Sequence, residues 1–259
     1  MKKSRLTAIM LVLFGYNTLL AQAPNGAYKA TETQYGNNKQ SKEELSHQSV
    51  IKLFKDGHWL VATFDDSIQG FRGTGLGTYK IVNGKYVERV EFTSWDSTAV
   101  GKTYMFDYAV NNDQFNQDGF VNSDKYQNMF LKEKYARLNP TEPLKHTGLE
   151  GTWRILNAQW GDAKLGEGEY KNVTGVKMYA YPRFAFAYYN DLTKSLVGAG
   201  GGTYQFDGST LSENIEYFSW SPPTDTRPSF QVTVSKNLYT QTGQDGRLKE
   251  QWKRMKQDQ

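Results

Sequence analysis

The chain has no cysteine among its 259 residues. That excludes disulfides, thiolate metal centres, cysteine nucleophiles and lipid attachment through a thiol. Histidine is nearly as scarce, with His47, His58 and His146 only, and no H-E-x-x-H run, so no histidine-based zinc site is expected. Asn111 to Asn122 carries Asp113, Asp118 and several amides but not EF-hand spacing, and reads as a solvated hairpin tip. No metal and no cofactor is expected. Excess charge is missing too. The formal net charge is +4, and without Lys2, Lys3 and Arg5 the chain has 28 basic against 27 acidic residues (31 less 3, against 27). A nucleic-acid partner therefore has no electrostatic support. After residue 23 no stretch is apolar enough to span a bilayer, so no transmembrane segment is expected in the mature chain.

What is present begins with an export signature. Met1 to Arg5 forms a basic head, Leu6 to Leu20 is mostly apolar, and Ala21-Gln22-Ala23 offers small residues at alternate positions. Residues 1–23 read as a cleavable signal, with the mature chain beginning at Pro24 in the periplasm or outside the cell.

The mature chain repeats itself at one offset. Gly26, Gln34 and Gly36 return 125 positions later as Gly151, Gln159 and Gly161, and Gly75, Gly77, Thr78 and Tyr79 as Gly200, Gly202, Thr203 and Tyr204. Glu88, Glu91, Ser94 and Trp95 return as Glu213, Glu216, Ser219 and Trp220. Near the end the offset becomes 117, where Glu133, Tyr135 and Arg137 answer Glu250, Trp252 and Arg254. A fixed register over this length indicates an internal duplication. The expected units are residues 24–139 and 147–259, joined by a linker at 140–146 that holds two prolines.

Each unit alternates aromatic or β-branched runs with turn signals such as Asp56-Gly57, Asn83-Gly84 and Asp207-Gly208. That pattern predicts antiparallel hairpins. Trp59, Val61 and Thr63 share one strand face and Leu60, Ala62 and Phe64 the other; Phe184, Phe186 and Tyr188 likewise oppose Ala185, Ala187 and Tyr189. Two apolar faces suit a strand covered on its outside by the sister unit, so close packing between the units is expected. The best helix candidate is Ser123 to Arg137.

Gly26-Ala27-Tyr28 and Gly151-Thr152-Trp153 open the two units, and Arg137 and Arg254 close them. This resembles the lipocalin and calycin pattern, in which a Gly-x-Trp strand packs its ring under an arginine of the final strand. The whole mature chain is similar to the tandem lipocalin-like proteins exported by Bacteroidetes, grouped as a domain of unknown function. The resemblance implies an all-β fold of two tandem lipocalin-like antiparallel barrels, each enclosing a small and often apolar ligand, and brings no assigned activity.

Within that expectation, Glu88 and Glu213 fall on the more apolar strand face, where a carboxylate must be paired, hydrogen-bonded or exposed to a polar cavity. Glu91 and Glu216 fall on the opposite face with Trp95 and Trp220, a combination able to hold a sugar by stacking and hydrogen bonds. Trp59, Tyr79, Phe184, Tyr188 and Tyr204 are the expected aromatic walls. Ser94 and Ser219 have no Gly-x-Ser-x-Gly elbow, and the glycine runs at 73–77 and 198–202 precede strands, not a phosphate-binding helix.

The function expected is an exported binding protein for a small apolar or glycan-like ligand. The alternatives are a carbohydrate-active enzyme, in which Glu91 or Glu216 would meet Asp65, Asp66 or Asp191 across one sugar site, and an envelope structural or interaction module presenting its tryptophans.

Overall fold

The computed structural model describes residues 22–36, 48–68, 70–139, 148–220 and 225–256. Residues 1–21 of the expected signal, the expected linker at 140–146, His47 and His146 lie outside the described residues.

The described chain is built from strands. They are β1 (Gly26–Gly36), β2 (Gln48–Lys55), β3 (His58–Asp65), β4 (Gly70–Val82), β5 (Lys85–Thr93), β6 (Thr103–Val110), β7 (Gln114–Val121) and β8 (Met129–Arg137). There follow β9 (Gly151–Trp160), β10 (Ala163–Lys164), β11 (Val173–Ala180), β12 (Arg183–Asn190), β13 (Leu196–Phe206), β14 (Thr210–Phe218), β15 (Ser229–Val234), β16 (Leu238–Gly243) and β17 (Leu248–Arg254). Among the described residues helix is confined to two 3-10 turns, Ser97–Ala99 and Gly168–Tyr170, and no helix is long and apolar enough to cross a membrane.

Strands β1 to β8 run antiparallel in order, and β8 returns to pair with β1 from Tyr28 opposite Arg137 to Gly36 opposite Phe130. This closes an eight-stranded barrel of calycin type. The nine further strands are continuous with it in a single 17-stranded sheet, joined where β14 runs beside β4 with Phe218 opposite Gly70. Within that second set β11 to β17 follow in antiparallel order, while β9 lies between β11 and β17 and carries β10 at one end. The expectation of two separate eight-stranded barrels is thus corrected.

Small side chains account for the merger. Ala62, Ala180, Ala185, Ala187 and Ala199 let the outer faces approach, and Leu53, Leu60, Phe64 and Phe92 of the barrel form one buried cluster with Val176, Met178, Tyr189 and Tyr217 of the second set. Phe92 stacks on Tyr189 at 4.4 Å and Phe64 on Tyr217 at 4.4 Å. Two further clusters fill the insides, one around Tyr28, Phe54, Tyr86 and Phe115, the other around Trp153, Tyr179, Tyr239 and Trp252.

Local chemistry sets the turns and bends. Asp56-Gly57 and Asn83-Gly84 both take positive φ, as two-residue hairpin turns require. Register shifts fall at Leu76/Gly77 in β4 and Gly201/Gly202 in β13. A Cβ at Gly77 or Gly202 would drive into the carbonyl oxygen of Arg89 or Asn214, so only glycine permits this strand approach. Two expectations fail here. Ser123 to Arg137 contains β8, not a helix, and Asn111 to Asn122 contains β7, not a loop tip. Pairing to neighbours on both sides outweighs the weak helical signal of Lys132, Glu133, Lys134 and Ala136.

Candidate functional site

The barrel encloses a chamber of about 460 Å³. Its walls include Val50 and Trp59 from β2 and β3, Val90 from β5, Trp95, Phe106 and Leu131. The ring of Trp95 lies across Gly73, where any Cβ would strike it. The polar end is a chain of side chains from four strands. Lys52 Nζ of β2 donates to Glu88 Oε1 of β5 at 2.5 Å and to Gln117 Oε1 of β7 at 3.2 Å. Tyr86 OH donates to the same Glu88 oxygen at 2.5 Å, and Gln117 Nε2 donates to Glu133 Oε2 of β8 at 2.7 Å.

Lys52 and Glu88 keep 3% and 7% side-chain exposure, so each charge depends on the other and on these hydrogen bonds for what water would have supplied. The ammonium also lies between 5.3 and 6.0 Å from the ring centroids of Phe54, Trp59, Tyr86, Phe115 and Tyr135, close enough for cation–π attraction. Glu133 lies on the chamber wall, and desolvation raises its carboxyl above the ordinary value of 4.5, partly opposed by Lys52. It keeps some accessible surface although protein surrounds it, because that surface faces the lumen. The Tyr135 hydroxyl beside it is buried without a hydrogen-bond partner.

The second set repeats this chain of groups around a chamber of about 530 Å³. Lys177 Nζ donates to Glu213 at 3.2 Å and Gln241 at 3.3 Å, and Tyr179 OH to Glu213 at 2.9 Å. Its last member, Glu250, is closed off. Oε1 accepts from Trp160 Nε1 at 2.9 Å and Tyr188 OH at 2.7 Å, and Oε2 from Trp252 Nε1 at 3.1 Å.

Of the residues singled out in the sequence, the barrel chamber gathers Trp59, Glu88 and Trp95, and the second chamber gathers Tyr188, Glu213 and Trp220. The others lie elsewhere. Tyr79 is buried with its hydroxyl on the Pro24 carbonyl, Phe184 stacks on Tyr179, and Tyr204 donates to Glu150. Glu91 and Glu216 are the extra residues at the two register shifts and turn away from the chambers. Glu91 pairs with Arg154 of the second set, and Glu216 with Arg183.

The carboxylates needed for a shared sugar site are engaged separately, Asp65 with Ser67 and Arg72, Asp191 with Lys194. Ser94 and Ser219 accept the amides of Thr74 and Ala199. His58 is buried with Nδ1 on the Asp56 carbonyl, and burial lowers its pKa. Among the described residues no group of His, Asp and Glu could hold a metal ion.

Lys52, Lys177, Gln117, Gln241 and the role of Glu133 and Glu250 were missed by the sequence reading. Their signal was present, since Lys52 and Lys177 stand 125 apart and Glu133 and Glu250 stand 117 apart. The barrel-closing arginines behave as the resemblance implies. Arg254 lies 4.1 Å from the Trp153 ring centroid and donates to the carbonyls of Glu150 and Gly148, while Arg137 lies 6.0 Å from Tyr28.

No protein-family model matches the chain, and no curated protein matches it. A mutant of transferrin binding protein B from Haemophilus parasuis aligns over 90% of this chain and 76% of that one at 7% identity, but its TM-score of 0.22 carries no argument. The crystal structure of the uncharacterized protein YLR301w from Saccharomyces cerevisiae aligns with a TM-score of 0.51 at 10% identity, over 89% of this chain and 98% of that one. What this chain shares with the yeast protein is a β-barrel architecture, across nearly the whole of both.

Proposed function

We propose that the protein binds small amphiphilic molecules non-covalently, with the ligand's apolar body against the aromatic and aliphatic chamber walls and its polar end toward the buried Lys–Glu pair. The observation that carries this reading is the barrel chamber of about 460 Å³, within the size range of small-molecule sites, whose apolar walls converge on a few fixed polar groups. Trp59, Trp95 and Glu88 are its binding residues, and Tyr188, Glu213 and Trp220 those of the second chamber. The export signature before Pro24 supports action in the periplasm or outside the cell, and the recurrence of the Lys–Glu–Gln–Glu series supports descent by duplication within an exported lipocalin-like family.

The test is titration with an apolar fluorescent probe of the anilinonaphthalene type. Saturable binding is expected, with one site lost when Val61→Trp fills the barrel chamber. Absence of saturable binding to the folded protein contradicts the proposal.

A further inference from the structure

The two strand sets place the same glutamate in unlike surroundings. In the barrel Glu133 stands opposite Thr33, Tyr35 opposite Leu131, and Tyr135 opposite Ala30; in the second set Glu250 stands opposite Ala158, Trp160 opposite Leu248, and Trp252 opposite Ile155. Likewise Thr63 pairs with Gly73 as Tyr188 pairs with Gly198. The three donors that cap Glu250, from Trp160, Tyr188 and Trp252, therefore correspond to Tyr35, Thr63 and Tyr135. None of these three donates a hydrogen bond of normal geometry to Glu133, whose single hydrogen bond comes from Gln117. An ionised carboxylate has about four acceptor sites, so most of this one's capacity is unused.

The other charges at the chamber are already matched. Lys52 is held by Glu88, and Arg72 by Asp65. Asp96 accepts from Thr98 and Ser123. Among the described residues of the chamber wall, Glu133 is the carboxylate left with a free oxygen facing the lumen, next to the unpartnered Tyr135 hydroxyl.

We infer that the barrel chamber selects amphiphiles with a cationic amine head, and that Glu133 accepts the ammonium hydrogen bonds that Trp160, Tyr188 and Trp252 supply to Glu250. The inference rests on the chamber being a binding site, and it names the ligand class for that site. An ammonium brings three donors and the opposite charge, and Tyr135 adds a hydroxyl acceptor and an aromatic face. The desolvation that raises the Glu133 carboxyl in the empty chamber is offset once a cation sits beside it.

Decylamine, decanol and decanoate share one tail and differ in the head. Calorimetric titration of the full mature chain near neutral pH is expected to show decylammonium binding about tenfold or more tighter than decanol, with decanoate weakest. In Glu133→Gln the decanol affinity is expected to persist while the preference for the amine disappears. A second variant, Thr63→Tyr, restores a donor at the Tyr188 position and is expected to lower the amine-to-alcohol ratio, a readout that cancels any loss of chamber volume. Decanoate binding as tightly as decylammonium overturns the inference and leaves the binding function standing, as does an amine preference that survives both variants. Failure of all three compounds to bind overturns the function itself.

Discussion

At the scale of single residues, the side chains that matter most are the buried charges, because each is costly unless answered. Lys52 is answered by Glu88 and Gln117. Lys52→Met leaves Glu88 buried with only Tyr86 for company, so it is expected to lower stability by about 3–5 kcal/mol. The double variant Lys52→Met with Glu88→Leu is expected to regain most of that loss, as denaturant midpoints at unchanged m-value would show.

Glu133 behaves in the opposite sense. Its folded pKa lies above 4.5, under the influence of Lys52, Glu88, Gln117 and Tyr135, so the folded state holds a proton that the unfolded state has already released. Stability is therefore lost as pH rises through and above the window that opens at 4.5. Glu133→Gln is expected to melt higher than the wild type at neutral pH, with the difference closing below about pH 4.5. Equal melting temperatures at neutral pH would show that the carboxylate is not held at a cost.

At the scale of elements, the bulges decide which side chains reach the chambers. Alternation correctly put Glu88 and Glu213 on an inward face, but one extra residue in β5 and in β14 turns Glu91 and Glu216 outward and brings Thr93 and Trp95 in. Period-two reading cannot see such a shift, because it depends on the glycine of the partner strand. Gly77→Ala is expected to destabilise by about 1–3 kcal/mol, since the added methyl meets the Arg89 carbonyl. Gly84→Ala, which meets nothing but has φ of +72°, is expected to cost only about 1 kcal/mol. Similar costs for the two variants would argue against the bulge geometry.

Strand content, hairpin turns and the double-faced β3 and β12 were legible from residue type and spacing. Lys52 and Lys177 were not, because a lysine in an alternating strand reads as solvent-facing until its buried partners are known. Glu133 was hidden for another reason: its strand carries a helix-like run of charged residues.

At the scale of the whole molecule, the barrel and the second strand set share a face instead of standing apart. The stacked pairs Phe92–Tyr189 and Phe64–Tyr217 and the ion pairs Glu91–Arg154 and Asp56–Arg254 cross that face. Both sets are expected to unfold in one transition. Phe92→Ala is expected to cost about 3–5 kcal/mol and to shift the tryptophan signals of Trp59 and Trp252 together. Two separated transitions in the wild type would show that the shared face couples them weakly.

The most direct measurement is a crystal structure of the protein soaked with decylamine. The account predicts the alkyl tail between Trp59 and Trp95 in the barrel chamber, with the ammonium within hydrogen-bond distance of Glu133. A barrel interior filled by its own side chains, or an amine bound only outside it, would contradict the account.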